Sequence, residues 1–235
     1  MSLIEDLVVA YRTLAEFRII DAYGHVSVRS DRDPNRYLIA RSLAPELVTE
    51  TDIMEYDLDS NPIDAAGRAS VSERFIHGEA YKARPDVMAV VHNHSPTVVP
   101  FSVTRVPLRP IFHMAAFVGL GVPVFEIRDF EKGTDMLVRT PALGKALASV
   151  LGDKPAALMR GHGSVVVGEN IARAVGRSVY LEQSAQMQLQ AMQIAGAGGA
   201  ITYLDEAESI AGSKTQDYAR AWPLWRQRAL EKLGK

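Results

Sequence analysis

The stretch Val87-Met-Ala-Val-Val-His-Asn-His-Ser-Pro96 constrains this chain more than any other. A short apolar run ends there in two histidines, His92 and His94, separated by one residue. On an extended strand neighbouring side chains point to opposite faces, so i and i+2 share one. Two imidazoles on a rigid buried strand can reach a single ion, which is the support a metal site needs. Such a pair alone also serves simply to cap a strand. Its company narrows the reading: Ser72-Glu73 lies upstream, and Arg160-Gly-His-Gly163 far downstream. The chain has no cysteine, so any metal must be held by His and carboxylate groups.

A length of 235 residues suits one globular domain with a large core. The net charge of -2, with no Lys/Arg block, argues against a nucleic-acid partner. Glu5 and Asp6 interrupt the first apolar residues, which is unlike a secretory signal. No apolar run approaches the ~18 residues of a membrane span. The expectation is a soluble cytoplasmic protein without a membrane partner.

Taken in order, Ser2 to Tyr23 reads as an amphipathic helix, with Ser2 and Glu5 as a capping box and Gly24 as its stop. Gly24 to Arg29 alternates as a strand, with His25 at its entrance as a structural hydrogen bonder or a catalytic group. Tyr37 to Ala40 is a second strand, with Arg41 and Ser42 just past its end. Thr49 to Asp52 reads as a short capped turn and Asp57 to Asn61 as a hairpin connection. Ser72 is expected to cap a second helix, placing Glu73 in its first turn with His77 on the same face. Glu73 either completes the helix start or, with that helix packed beside the histidine strand, reaches the imidazoles. His77 either packs or orients a neighbour.

Ser95-Pro96 is expected to restart a helix. His113 falls on an irregular connection, and Val122 to Phe125 reads as a strand. Thr140-Pro141 opens a helix. Ala156 to Met159 delivers Arg160 and His162, and Ser164 to Val167 returns as a strand, with Gly161 and Gly163 easing the turn. Asn170 caps a long helix from Ile171 to about Ile194, whose Gln/Met-rich face suits core or subunit packing. Trp222 and Trp225 lie in a C-terminal helix, in an extension from about residue 205.

The ordered set Ser72-Glu73, Tyr81-Lys-Ala-Arg-Pro-Asp86, Val90-Val-His-Asn-His-Ser95 and Gly161-His-Gly163 resembles the class II aldolase/adducin family over roughly residues 5 to 205. The resemblance implies a three-layer α/β/α sandwich around a mostly antiparallel sheet. It implies that His92, His94 and His162 hold a divalent metal ion, usually zinc, with manganese, iron or cobalt as alternatives. Glu73 would act as acid/base, and the enzyme would be a homotetramer with sites between subunits.

This sequence departs from the family's sugar-phosphate aldolases. Their Gly-Asn-x-Ser loop is here Gly24-His-Val-Ser27, and their Ser-Ser is Val71-Ser72. Near the place of their tyrosine proton donor stands Phe112-His113-Met114. The phosphate cradle is thus incomplete, which favours a small carboxylated substrate met by Arg41, Ser42, Ser72, His77 or His25. The Gly-His-Val-Ser-Val-Arg form is similar to the family's decarboxylase branch, which acts on dihydroxyphthalate or carboxy-hydroxymuconic semialdehyde. The expected activity is therefore metal-dependent decarboxylation, with Glu73, His25 and His113 as candidate proton donors. The alternatives are an aldolase or epimerase on a sugar phosphate or hydroxy-oxo acid, and a non-catalytic adducin-like interaction protein.

Overall fold

The computed structural model describes residues 2–234. Helix α1 (Leu3–Glu16) starts on Ser2, whose hydroxyl accepts from the Glu5 N–H. It ends earlier than its apolar pattern suggests. Arg18 takes a left-handed conformation (φ 57°), and the following Ile19 and Ile20 turn back into the core. Strands β1 (His25–Arg29), β2 (Arg36–Ala40) and β3 (Ile53–Asp57) then form an antiparallel meander. The third was not legible as a strand, because the short turn Glu50–Asp52 leads straight into it. Asp57 to Asn61 is the turn that follows it.

Helix α2 (Phe75–Ala83) corrects one expectation. Its N-cap is Arg74, while Ser72 and Glu73 lie in the turn before it. Strand β4 (Ala89–Asn93) follows, then α3 (Val98–Val103). That helix begins later than Ser95-Pro96 predicts, with Thr97 as its N-cap and the buried Glu182 carboxylate accepting from the backbone N–H groups of Thr97 and Val98. Strand β5 shrinks to Val124–Phe125, since the preceding Pro123 has no N–H to donate. Helix α4 (Pro141–Leu151) is capped by Thr140 as expected. The β6 (Ala156–Met159) and β7 (Gly163–Gly168) hairpin and the long α5 (Ile171–Ala195) also stand where the sequence placed them. Helices α6 (Glu206–Thr215) and α7 (Ala221–Lys232) close the chain. Trp225 packs within the chain, edge-on to Phe17 beside α1.

The sheet runs β3-β2-β1-β4-β7-β6-β5, antiparallel except for the β5–β6 pair. It is covered on both faces, as the near-continuous apolar runs of its central strands require. Val26, Val28, Ala89, Val91, Leu158 and Val166 face a core shared with α1 and α5. Val90, Ala157, Met159, Val165 and Val167 face a second core shared with α2 and α4. This is the three-layer α/β/α sandwich. No described helix is long and apolar enough to cross a membrane.

Candidate metal centre

The register of the sheet builds the site. β1 and β4 pair so that His25 lies opposite His92, and β4 pairs with β7 so that Asn93 lies opposite Ser164. The β6–β7 turn therefore hangs His162 over the end of the histidine strand. Gly163 permits this closeness: a Cβ there would sit 1.9 Å from the Asn93 carbonyl oxygen. Gly161 takes the positive φ of 63° that the turn demands.

His92, His94 and His162 each bring one ring nitrogen within 4.8 Å of the others. Whether they suit a cation is decided by their tautomers, which follow from their partners. The Nδ1–H of His92 donates to Ser164 O at 3.2 Å, and that of His162 to Met136 O at 3.0 Å. His94 Nδ1 lies 3.4 Å from a carboxylate oxygen of Asp21. The Nδ1 of His92 and that of His162 are thus occupied as donors, which leaves their Nε2 atoms with lone pairs, while His94 turns its Nδ1 toward the Asp21 carboxylate. His92 Nε2 and His94 Nε2 are buried without a hydrogen-bond partner. Orphaned, convergent lone pairs are what a divalent cation satisfies, so the donor set fits one. Burial holds the His92 and His162 pKa values below the ordinary value, the latter at about 4, so both rings are neutral at pH 7.

Glu73 completes the group. Its Oε1 accepts from the Val138 N–H at 2.8 Å. Oε2 stands 3.6 Å from His162 Nε2 and 3.7 Å from His92 Nε2. Burial raises its pKa to about 7, although the Val138 hydrogen bond and the Arg139 charge oppose the rise. Glu73, His94 and His162 edge a cavity of about 660 Å³, with His92 buried behind them. Its wall also includes Tyr23, Leu43, Leu47 and Leu137 on an apolar side, with His25, Ser42 and Ser72 among the polar groups.

Residues 5–189 match the model of the family described as Class II Aldolase and Adducin N-terminal domain. The chain belongs to this family. The decarboxylase tropJ of Talaromyces stipitatus is 36% identical over 90% of this chain and 88% of its own length. A 3,4-dihydroxyphthalate decarboxylase of Arthrobacter keyseri is 29% identical, over 87% and 83% respectively. Among solved structures, an L-fuculose 1-phosphate aldolase from Glaciozyma antarctica PI12 superposes with a TM-score of 0.79 at 26% identity, covering 99% of this chain and 90% of that one.

Against this class II aldolase frame the remaining candidates divide. His25, Ser42, Ser72 and Glu73 line the cavity. His77 does not: it is fully buried behind His25, its Nε2 2.6 Å from His25 Nδ1. Arg41 is outside the lining too, its guanidinium held by Asp52 at 2.6 Å. His113 is exposed at the head of a 3-10 segment, its ring edge-on to Phe112. Sequence reasoning passed over Asp21, Met136, Val138 and Ser164, which orient the histidines and Glu73. Three of these act through backbone atoms or the strand pairing, and so leave no side-chain signature.

Proposed function

We propose that this class II aldolase family member is a metal-dependent decarboxylase acting on a carboxylated catechol or a hydroxymuconic semialdehyde acid. The observation that carries the reading is the convergence of three imidazole lone pairs beside Glu73, a buried carboxyl group poised at about pKa 7. The decarboxylase names of the relatives from T. stipitatus and A. keyseri support it. So does the cavity wall, which is apolar along Leu43, Leu47 and Leu137 and has no Lys or Arg. Such a wall suits a planar unsaturated substrate better than a phosphate dianion.

Decarboxylation leaves an electron pair on carbon. A divalent cation held by His92, His94 and His162 supplies, when bound, a Lewis-acid sink for that charge. Glu73 is held by Val138 so that Oε2 faces the histidines. Raised toward pH 7, it keeps a proton available and delivers it to the carbon as carbon dioxide leaves. Ser42, Ser72 and His25 hydrogen-bond the substrate's oxygens and fix its orientation. The working form is a homotetramer, as the family resemblance implies, and sedimentation of the purified protein checks it.

The deciding experiment loads the protein with zinc, manganese, iron or cobalt and offers catechol carboxylates, muconic semialdehyde acids and sugar phosphates. Mass spectrometry should find loss of carbon dioxide from one of the first two classes. The likeness to the G. antarctica aldolase favours a second reading, and cleavage of a sugar phosphate into two carbon fragments would establish it instead. Failure to bind any of these metals would point to a non-catalytic, adducin-like role.

A further inference from the structure

A buried polar chain runs from His25 on the cavity wall into the sheet–helix interface, and beyond His25 the reaction as proposed does not use it. His25 Nδ1 lies 2.6 Å from His77 Nε2, His77 Nδ1 lies 2.6 Å from Ser27 Oγ, and Ser27 Oγ lies 2.7 Å from Tyr81 OH. Ser27 and His77 are fully buried and Tyr81 is 1% exposed. The chain exists because β1 turns His25 and Ser27 toward α2, which carries His77 and Tyr81 four residues apart on one face. Tyr37 lies nearly parallel to the His77 ring, with centroids 6.4 Å apart.

Such a chain of neutral groups has two polarities, and every hydrogen must point the same way along it. Burial keeps His77 neutral, so it owns a single N–H to give. Two ends decide the direction. At the inner end the Tyr81 hydroxyl has Ser27 Oγ as its side-chain partner, and a buried phenol proton left unpaired is costly. At the outer end His25 belongs to a trio with Glu73 and His92 whose polar atoms lie within 4.8 Å of one another. His92 Nε2 is a lone pair, because its Nδ1–H donates to Ser164 O. The His92 lone pair favours a hydrogen, rather than another lone pair, on the neighbouring ring, as does Glu73 when ionised.

We infer that Tyr81, Ser27 and His77 form a one-way hydrogen-bond chain that fixes His25 in its Nε2–H tautomer, making it a hydrogen-bond donor to an anionic substrate oxygen and not a metal ligand. Tyr81 donates to Ser27, Ser27 to His77 Nδ1, and His77 Nε2–H to His25 Nδ1. The remaining ring nitrogen of His25 then presents N–H to the cavity that the residue lines. Within this chain of four only His25 touches substrate; His77, Ser27 and Tyr81 are positioning residues. The substrate contact rests on the proposed active site, whereas the tautomer does not.

The test uses the full-length zinc-loaded protein labelled with nitrogen-15 in its histidines. Long-range proton–nitrogen correlation should show His25 with a bare Nδ1 and a protonated Nε2. Tyr81→Phe removes the terminal donor and should mix the two His25 tautomers while metal content stays at the wild-type level. Loss of the oriented donor should raise KM about tenfold with a smaller change in kcat. His77→Gln is the second variant: its amide cannot bridge Ser27 and His25 as a ring does, so it should mix the tautomers equally. A wild-type His25 carrying its hydrogen on Nδ1, or a Tyr81→Phe protein with an unmixed tautomer, would overturn the chain. An ordered tautomer that mixes in Tyr81→Phe with no effect on KM would leave the chain standing but refute the substrate contact.

Discussion

His25 and His92 face one another across the β1–β4 register, with their ring centroids 4.9 Å apart. That pairing couples the two halves of the site. One residue enters the first strand after the α1 loop; the other stands near the end of the strand that leads to His94. Both point to the α2 side of the sheet, so whatever binds at His92 is also in reach of the loop that differs from the family's Gly-Asn-x-Ser pattern. On the proposed reading, substrate preference and metal binding would be adjacent functions of adjacent strands.

The metal donors should fail in graded order. His162→Ala removes one of three lone pairs and should abolish stable metal binding, measured by elemental analysis after dialysis. Asp21→Ala leaves all three donors but frees His94 Nδ1 from its carboxylate partner. Loss of such an orienting group typically weakens metal affinity about tenfold or more. Competition against a chromophoric chelator should resolve the two, and an Asp21→Ala affinity equal to wild type would show that His94 is oriented by something else.

Glu73→Gln separates acid chemistry from architecture. The amide oxygen still accepts from the Val138 N–H, so the loop should keep its place. The amide carries no transferable proton, so kcat should fall about 10²- to 10⁴-fold. Metal content should remain that of wild type. Unchanged turnover on the true substrate would remove Glu73 from the acid/base role.

The sandwich followed from the family resemblance of the ordered motifs, while the residue pattern itself gave several of the strands and the long helix with its cap and stop. Asn170 and Gly196 bound α5 in the structure as they do in the pattern. The cluster was readable because His92, His94, His162 and Glu73 are rare residue types in an ordered motif set. The start of α2 was not readable: Ser72 is a good capping residue, but the chain spends Ser72 and Glu73 on a turn facing the cavity. Arg41 illustrates a further limit. The incomplete phosphate cradle suggested that it meets a substrate carboxylate, and the carboxylate it meets is Asp52 in its own chain.

That pair gives the protein an acid-sensitive stabilising contact. Burial raises the Asp52 pKa, but hydrogen bonds from Thr49 and Arg41 more than offset it, leaving the folded value below the ordinary 3.8. A carboxylate with a depressed folded pKa stabilises fully above its unfolded pKa, and the contribution is lost as pH falls through the folded value. Asp52→Asn should therefore cost about 1 kcal/mol at pH 7, the scale of a capping and surface ion-pair contact. Thermal denaturation should show the gap between wild type and variant closing as pH drops below 4. A gap constant from pH 7 to the acid limit would mean that Asp52 stabilises without its charge.

Gly163→Ala probes the contact on which the site's assembly depends. A methyl group there meets the Asn93 carbonyl oxygen at 1.9 Å and the His94 Cα at 3.3 Å. Both are main-chain atoms, so no side chain can swing aside to make room. Relief requires the β6–β7 turn, bearing His162, to move away from the end of β4, bearing His92 and His94. Overpacking of this kind costs about 3 kcal/mol, which for a chain of this size lowers Tm by roughly 6–12 °C. Metal affinity should fall as well, because the moved turn takes one imidazole out of register with the other two. The two effects should appear together in the same variant, read by calorimetry and by chelator competition. A protein with lowered Tm but wild-type metal affinity would show that the turn relaxes without carrying His162 away, and that the histidines are held independently of the glycine.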